Sequence, residues 1–168
     1  PAGLPLIRNK NRYNVSVRDT CITIDGGIWN GNKANNQYHL FEFVKVGNLT
    51  LKNLKMYDTR YYTVFLRNMV NLLIENFVID NGVNPWATGN DGIHIRGWNK
   101  NLTIRNGTIS AYDDNIAIYS EQFDGSPLTL NALQSGKVDG VFIENIILKN
   151  SLNGLKLVSG QGLIDNVH

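Results

Sequence analysis

The 168-residue sequence has little cysteine, no excess of charge and no long apolar run. Its single cysteine, Cys21, excludes an internal disulfide framework and a metal site built from cysteines. With 16 Lys and Arg against 14 Asp and Glu, the formal net charge is +2, unlike the strongly basic footprint of nucleic-acid-binding domains. No apolar run approaches the ~18 to 20 residues of a membrane span. We therefore expect neither nucleic acid nor membrane as a partner.

The sequence does contain a recurring unit in which an apolar residue and any residue are followed by Asn. The copies are separated by 21 to 39 residues, and we take 23 residues as the regular step. They are Leu51-Lys52-Asn53, Ile74-Glu75-Asn76, Ile104-Arg105-Asn106, Ile143-Glu144-Asn145 and Ile164-Asp165-Asn166, with Ile24-Asp25-Gly26 as a degenerate first copy. A repeat of this length is typical of solenoid proteins.

A second series of alternating apolar pairs stays nearly in phase with the first. The pairs are Phe41/Phe43, Val64/Leu66, Ile93/Ile95, Ile116/Ile118 and Leu155/Leu157, and a third apolar set consists of Met56, Ile79, Ile109 and Leu148. Three short strands per repeat predict an all-β fold, a right-handed parallel β-helix of about six coils. A β-sandwich would need two-residue hairpin signals between its strands, and these do not fit the pattern.

We expect residues 1–168 to form one domain, without the end caps that a complete β-helix needs, and thus to be a fragment of a longer chain. The coil between Ile118 and Leu155 is about 16 residues longer than the regular step, which predicts an expanded loop at about 120–139. A smaller expansion with Trp86 precedes Asp91, and Trp86 could either stack on a sugar or fill the base of its own loop. Both loops should lie beside the binding face.

The repeated asparagines have two interpretations. Equivalent residues in successive coils lie ~4.8 Å apart, so their amides can form a hydrogen-bonded ladder at a sharp bend. Alternatively Asn48, Asn101 and Asn106, each followed two residues later by Thr, are glycosylation acceptors. The phase of the repeat favours the ladder.

Two stretches, residues 89–95 and 111–118, carry most of the chemistry. Moving one onto the other by 23 residues superposes Asp91 on Asp114 and Ile93 on Ile116. One coil apart, the two carboxylates should lie ~5 Å from each other, with Asp113 beside them. Such crowding raises the pKa of at least one carboxyl. An acid beside a carboxylate suits glycosidic bond cleavage, whereas an Asp ladder that caps turns or binds Ca²⁺ fits the pattern equally well.

The same columns surround these carboxylates with polar and cationic side chains, which we predict to bind substrate. They are His94, Arg96, Arg67, Lys156, Tyr119 and Asn153. Three of the six are cationic, which favours an acidic saccharide as ligand.

The two stretches resemble the Asn-Thr-Asp-Gly and Gly-Asp-Asp motifs of the polygalacturonases, glycoside hydrolase family 28, which are β-helical enzymes that act on pectin. Asn90-Asp91-Gly92 corresponds to the first motif without its Thr, and Asp113-Asp114 to the second with Tyr112 in place of Gly. Further on, residues 153–157 resemble the family's Asn-Gly-Val-Arg-Ile-Lys, with Lys156 at the Arg position. The family's Gly-His-Gly has no counterpart, because no histidine lies between His94 and His168.

The resemblance implies an inverting hydrolase of an acidic polysaccharide, without metal or organic cofactor. By the resemblance, Asp113 is the general acid, and Asp91 and Asp114 together hold the attacking water. It further implies a secreted, extracellular monomer. The repeat also resembles bacteriophage tailspike depolymerases, which would imply a homotrimer at the virion surface. The alternatives are a polysaccharide lyase or epimerase on the same scaffold, using Arg96 or Lys156 as base, and a non-catalytic β-helical adhesin.

Overall fold

The structure, a computed structural model, describes residues 4–14, 16–82, 89–120, 136–160 and 162–168. Those residues form strands and turns, and none of them lies in a helix long and apolar enough to cross a membrane. The strands are β1 (Ile7–Arg8), β2 (Asp19–Asp25), β3 (Ile28–Asn30), β4 (Phe41–Val44), β5 (Val46–Tyr57), β6 (Val64–Arg67), β7 (Val70–Asp80), β8 (Ile93–Arg96), β9 (Asn99–Ser110), β10 (Asp114–Tyr119), β11 (Val138–Lys149), β12 (Asn153–Val158) and β13 (Ile164–Val167).

The strands alternate between two parallel sheets as the chain advances. One sheet has the order β1-β4-β6-β8-β10-β12, and the other has the order β13-β11-β9-β7-β5-β2, with β3 also paired to β5. Each strand thus pairs with its equivalent one coil away, and six coils follow one another. The predicted parallel β-helix of about six coils is confirmed. The ladder of Phe41, Val64, Ile93, Ile116 and Leu155 has the predicted register.

Each regular coil contains two strands rather than the three that we expected. The long strands β5, β7, β9 and β11 continue through a sharp bend at Asn53 and its equivalents, where φ is positive. Asparagine tolerates this left-handed conformation better than most residues. The bend therefore turns the strand onto a third face without interrupting its pairing, so that Met56, Ile79 and Ile109 still stack on one another.

A second bend, nearer the start of each long strand, carries the asparagine ladder, which we define as Asn48, Asn71 and Asn101. Their φ angles are 57°, 56° and 57°. The Asn71 amide donates to Asn48 Oδ1 at 2.9 Å, and the Asn101 amide donates to Asn71 Oδ1 at 3.0 Å.

At the other bend the repeat asparagines also pair, since Asn76 donates to Asn53 Oδ1 at 3.4 Å and Asn145 donates to Asn106 Oδ1 at 3.2 Å. The predicted hydrogen bonding between asparagines of successive coils is confirmed.

The last copy of the repeat, residues 164–166, does not stack on residues 143–145 as the sequence predicts. Ile164 pairs with Val138 and not with Ile143, so Asn166 continues the register of the asparagine ladder. The apolar-x-Asn pattern occurs at both bends of a coil, and spacing alone did not distinguish them.

The core lies between the two sheets and is formed by the inward ladder residues. Val64, Leu66, Ile93 and Ile95 have no exposed surface. In the last coil the equivalent Leu155 and Leu157 are 43% and 45% exposed. Single-domain organisation, missing caps and a longer parent chain stay predictions.

Part of the predicted expanded loop lies outside the described residues, as does the smaller one with Trp86. Residues 121–135 and 83–88 are not described. Strand β11 begins at Val138, so residues 138 and 139 belong to a strand and not to the loop at about 120–139.

Candidate active site

The three carboxylates meet where strands β8 and β10 begin. Ile93 pairs with Ile116, which places Asp91 directly beside Asp114 in the adjacent coil. The Asp114 backbone N–H donates to Asp91 Oδ1 at 3.2 Å. One oxygen from each of Asp91, Asp113 and Asp114 lies within 4.8 Å of the others. The predicted proximity is confirmed, and we call these residues the carboxylate cluster.

Buried asparagines hold the turns that carry the cluster. Asn90 has no exposed surface, and its Nδ2 donates to backbone carbonyls of residues 59–61 at 2.7 to 3.2 Å. Its Oδ1 accepts the Tyr112 backbone N–H at 3.1 Å. Asn90 thereby connects the turn before β8 to the coils on both sides of it.

Asn115 has the equivalent role after Asp114. Its Oδ1 accepts the Ala111 backbone N–H at 2.9 Å, and its Nδ2 donates to Ser151 Oγ at 2.8 Å. The sequence analysis names Asn90 only as part of a motif and assigns no role to Asn115. Their position beside an Asp in both stretches was the available signal.

The three carboxyls differ in burial and in protonation. Asp91 and Asp114 are 3% and 2% exposed, whereas Asp113 is only partly buried. Burial raises the pKa of Asp91 to about 7, and the charge of Asp114 acts in the same direction. Burial also raises the pKa of Asp113, with further contributions from Asp91 and Asp114. The cluster can therefore keep a proton at a pH where an exposed Asp has none.

Two of the predicted substrate-binding residues contact Asp114 directly. Lys156 Nζ lies 3.1 Å from Asp114 Oδ2, and Asn153 Nδ2 donates to Asp114 Oδ1 at 2.7 Å. The hydrogen bonds of Lys156 to Asp114 and Tyr119 raise the pKa of its ammonium group, which remains charged. Asp114 is thus a carboxylate neutralised by a cation whose side chain is still 38% exposed.

His94 lies behind Asp91 and is only 2% exposed. Its Nδ1 is 2.5 Å from Asp91 Oδ2, and its Nε2 accepts a hydrogen bond from Arg96 Nε at 2.6 Å. Burial lowers the pKa of His94 well below its usual value, and the charge of Arg96 lowers it further. The imidazole is therefore neutral.

The remaining predicted residues lie on the same outward face. Arg67, Arg96 and Tyr119 occupy equivalent positions in successive coils. The Arg96 guanidinium lies 4.9 Å from the Tyr119 ring centroid, and that of Arg67 lies 5.4 Å from the Phe65 ring centroid. The structure thus brings all six predicted residues to one face, and their contact with substrate stays a prediction.

Tyr62 is a residue of this site that sequence analysis missed. It precedes β6 at the level of Asp91, and its ring stacks on His94 with centroids 4.0 Å apart. Burial raises the pKa of its phenol, and Asp91 contributes to this shift. The signal in the sequence was an aromatic residue one coil before Asp91 in the same column.

The carboxylate cluster is also the one group in the described ranges with three acidic oxygens close enough to hold a metal ion. Two of its carboxylates bind backbone amides: Asp91 accepts from Asp114, and Asp113 Oδ2 accepts from Gly89 at 2.8 Å. The interpretation that these residues cap turns therefore has structural support as well. The absence of a required metal stays a prediction.

Comparison with known proteins gives one match. The family model described as "Glycosyl hydrolases family 28" matches residues 7–168. Searches of curated proteins and of solved structures found no significant match. The matched range contains every residue of the carboxylate cluster and both sheets that position it.

Proposed function

Because the chain belongs to glycosyl hydrolase family 28 and is a glycoside hydrolase, we propose that it cleaves an acidic, uronate-containing polysaccharide such as polygalacturonan by inversion. The observation that carries the proposal is the meeting of three carboxylates from two adjacent coils within 4.8 Å. Hydrolysis of a glycosidic bond needs a protonated carboxyl near the leaving oxygen and a carboxylate that activates water. The cluster contains groups suited to both tasks.

Asp113 is the general acid in this proposal. It is the least buried of the three, so it can reach a substrate, and its raised pKa favours a protonated carboxyl. Asp91 and Asp114 lie deeper and hold the attacking water between them. Because the pKa of Asp91 is about 7, Asp91 acts as a base only in the fraction of molecules in which it has lost its own proton. Lys156 supports this division, because its contact with Asp114 stabilises the carboxylate there.

The carboxylate spacing alone would favour retention of the anomeric configuration rather than inversion. Retaining glycosidases have catalytic carboxyls ~5 Å apart, and inverting ones have them ~6.5 to 9.5 Å apart. This rule applies to sites with one acid and one base or nucleophile. In a site with three carboxylates, two of which share the attacking water, a single distance does not predict the outcome. The anomeric configuration of the first product, observed by ¹H NMR, distinguishes inversion from retention.

The preference for an acidic substrate rests on the cations of the outward face. Arg67 and Arg96 lie in adjacent coils, and Lys156 lies two coils beyond Arg96. The Lys156 side chain is exposed enough to meet a sugar carboxylate. A β-helix presents such a face as an open surface along its axis, which suits an extended polymer.

Location and assembly belong to the same proposal. A polymeric plant or microbial saccharide is met outside the cell, so we propose an extracellular or virion-surface protein. The secreted form would be a monomer, and a tailspike would be a homotrimer. Sedimentation of the protein in solution distinguishes these two assemblies.

The test is release of reducing ends from a small panel of acidic polysaccharides that includes pectate, with a neutral glucan as control. We expect release from at least one uronate polymer, unchanged by a chelator. Chelator-sensitive formation of unsaturated products would instead support a lyase that uses Arg96 or Lys156. A change of uronate configuration without cleavage would support an epimerase. Binding without any product would support an adhesin.

A further inference from the structure

We propose that His94 is a positioning residue for hydrolysis, which holds Asp91 in place through Nδ1–H, and that Arg96 selects the ring tautomer this requires. The inference rests on the proposed function of Asp91. It replaces the expectation that His94 binds substrate directly, because the His94 side chain is 2% exposed and both ring nitrogens are already engaged.

The tautomer follows from the hydrogen-bond donors present. An arginine Nε carries a proton and can only donate. Arg96 Nε lies 2.6 Å from His94 Nε2, so this ring nitrogen must be the acceptor. The single ring proton of the neutral imidazole is then on Nδ1, where it points to Asp91 Oδ2 at 2.5 Å.

Two tyrosines fix the plane of the imidazole. The Tyr62 ring lies 4.0 Å from the His94 ring at an interplanar angle of 14°, and the Tyr119 ring lies 5.0 Å away at 17°. The three residues come from successive coils, so strand pairing sets their spacing. Rotation of the ring between these neighbours would displace both tyrosines.

Asp91 consequently has a donor on each oxygen. Oδ1 accepts the Asp114 backbone N–H, and Oδ2 accepts from His94. Both donors stabilise the negative charge against burial, and together they fix the rotation of the carboxyl group. A carboxylate that shares a water with Asp114 needs such a fixed orientation, since a displacement of ~1 Å in a catalytic group can reduce turnover ~10²-fold.

The decisive variants are His94→Leu and His94→Asn. Leucine fills the space without a donor, whereas the asparagine amide can place an N–H near the position of Nδ1. We expect His94→Leu to lower kcat ~10- to 100-fold with KM changed less than about twofold, and His94→Asn to recover most of the loss. A raised KM with normal kcat would show substrate contact and overturn the inference, as would full activity in His94→Leu.

His39 provides a matched control. It is another imidazole of the same aromatic stack, partly buried, with its ring 4.9 Å from Tyr62. We expect His39→Leu to keep kcat within about twofold of wild type. An equal loss of kcat in His39→Leu and His94→Leu would mean that packing alone matters, and would overturn the inference.

The tautomer has a readout that does not depend on activity. ¹⁵N NMR of the imidazole should show a neutral ring protonated at Nδ1 in the wild-type protein, and a mixture of tautomers in Arg96→Met. Observation of the Nε2–H form in the wild type would overturn the inference even if His94→Leu does not fold.

The two proposals fail in different ways. If Asp91→Asn is fully active while NMR shows the Nδ1–H tautomer, the proposed function fails and His94 has no catalytic carboxylate to position. If Asp91→Asn is inactive while His94→Leu is fully active, the proposed function stands and the positioning role is wrong.

Discussion

The asparagine ladder and the carboxylate cluster both arise from strand pairing between successive coils, but they differ in burial and in charge. In both, strand pairing stacks polar side chains of successive coils at close spacing. The amides of Asn48, Asn71 and Asn101 are exposed, and each can donate to one neighbour and accept from the other. Asp91 and Asp114 are buried and bring like charges together. The asparagine amides form hydrogen bonds with one another, whereas the carboxylates depend on donors from other residues.

The difference indicates which stack is structural and which is chemical. A ladder of amides adds hydrogen bonds without charge, so it stabilises a bend at little electrostatic cost. In the carboxylate cluster, burial raises the pKa values of Asp91 and Asp113, the neighbouring carboxyls add to both shifts, and Lys156 is the counter-ion of Asp114. Buried carboxyls with raised pKa values are typical of functional sites, where they are retained although they do not favour stability. The first three predictions change the carboxylate cluster or its counter-ion and use an exposed charged residue as control, and the last changes the asparagine ladder.

The largest effect is expected for Asp113→Asn. The amide cannot protonate the leaving oxygen, so turnover should fall ~10²-fold or more while folding and substrate binding are retained. Asp25→Asn is the control, because Asp25 accepts from Asn53 on the exposed side of the coil at 2.7 Å. Steady-state release of reducing ends measures both. Equal activity of Asp113→Asn and Asp25→Asn would remove the catalytic distinction between the carboxylate cluster and an exposed aspartate.

Asp91 should make stability fall as pH rises. Below about pH 4 the carboxyl is protonated in both states. Between about pH 4 and pH 7 the unfolded chain has lost the proton that folded Asp91, with its pKa of about 7, still holds. The native state then binds more protons, so the free energy of unfolding decreases with pH, by on the order of 2 to 4 kcal/mol. His94 and His39, whose pKa values are lowered, contribute in the opposite sense below about pH 6.5. The difference between wild type and Asp91→Asn in urea unfolding at several pH values therefore isolates the Asp91 contribution.

Asp91→Asn should lose this contribution and keep that of Asp113, whose pKa is raised in the same direction. Asp25→Asn should keep the wild-type pH profile between about pH 4 and pH 7. Identical pH profiles for wild type and Asp91→Asn would show that Asp91 does not carry the proton.

Lys156→Met should have an intermediate effect. It leaves the buried Asp114 carboxylate without its cation at 3.1 Å. Removing a partner from a fully buried pair costs ~3 to 5 kcal/mol. Because the Lys156 side chain is 38% exposed, we expect a loss of only about 1 to 2 kcal/mol in chemical unfolding.

The control for this change is Lys137→Met. Lys137 bridges Asp139 and Asp165 at 3.3 and 3.0 Å on the exposed side of the long strands. Solvent screens that pair of contacts, so stability should not change measurably. A larger loss in Lys137→Met than in Lys156→Met would contradict the view that burial makes the cluster sensitive.

The smallest effect is expected in the asparagine ladder itself. Asn71→Ala removes one amide and places an alanine at a φ of 56°, which should lower the free energy of unfolding by about 1 to 2 kcal/mol. Asn71→Gly tolerates this φ and should lose less. Turnover should stay at the wild-type value in both. Reduced kcat in Asn71→Gly would show that the two stacks are coupled.

Much of the fold was predictable because periodicity sets register. Residues 23 apart in the chain became neighbours in space, so Asp91 and Asp114 could be paired from the sequence. The same logic failed for Asn166, because the repeat unit occurs at two bends of one coil. It also missed that Asn53 bends a strand without ending it, which depends on φ rather than on hydrophobicity.

The site was predictable as a set of positions but not as a set of contacts. Register places His94, Arg96 and Tyr119 on one outward face. It does not reveal that Tyr62 stacks on His94 or that Lys156 contacts Asp114, since these depend on side-chain rotamers. The buried asparagines were missed for the same reason.

Titration of the aspartate carboxyls by ¹³C NMR is the most direct test that burial, together with crowding across coils, makes this cluster chemically distinct. We predict that Asp91 titrates near pH 7 and that Asp113 titrates above the usual aspartate range, whereas Asp25 titrates below it. Titration of Asp91 and Asp113 at or below about pH 4, as for ordinary exposed aspartates, would contradict the account.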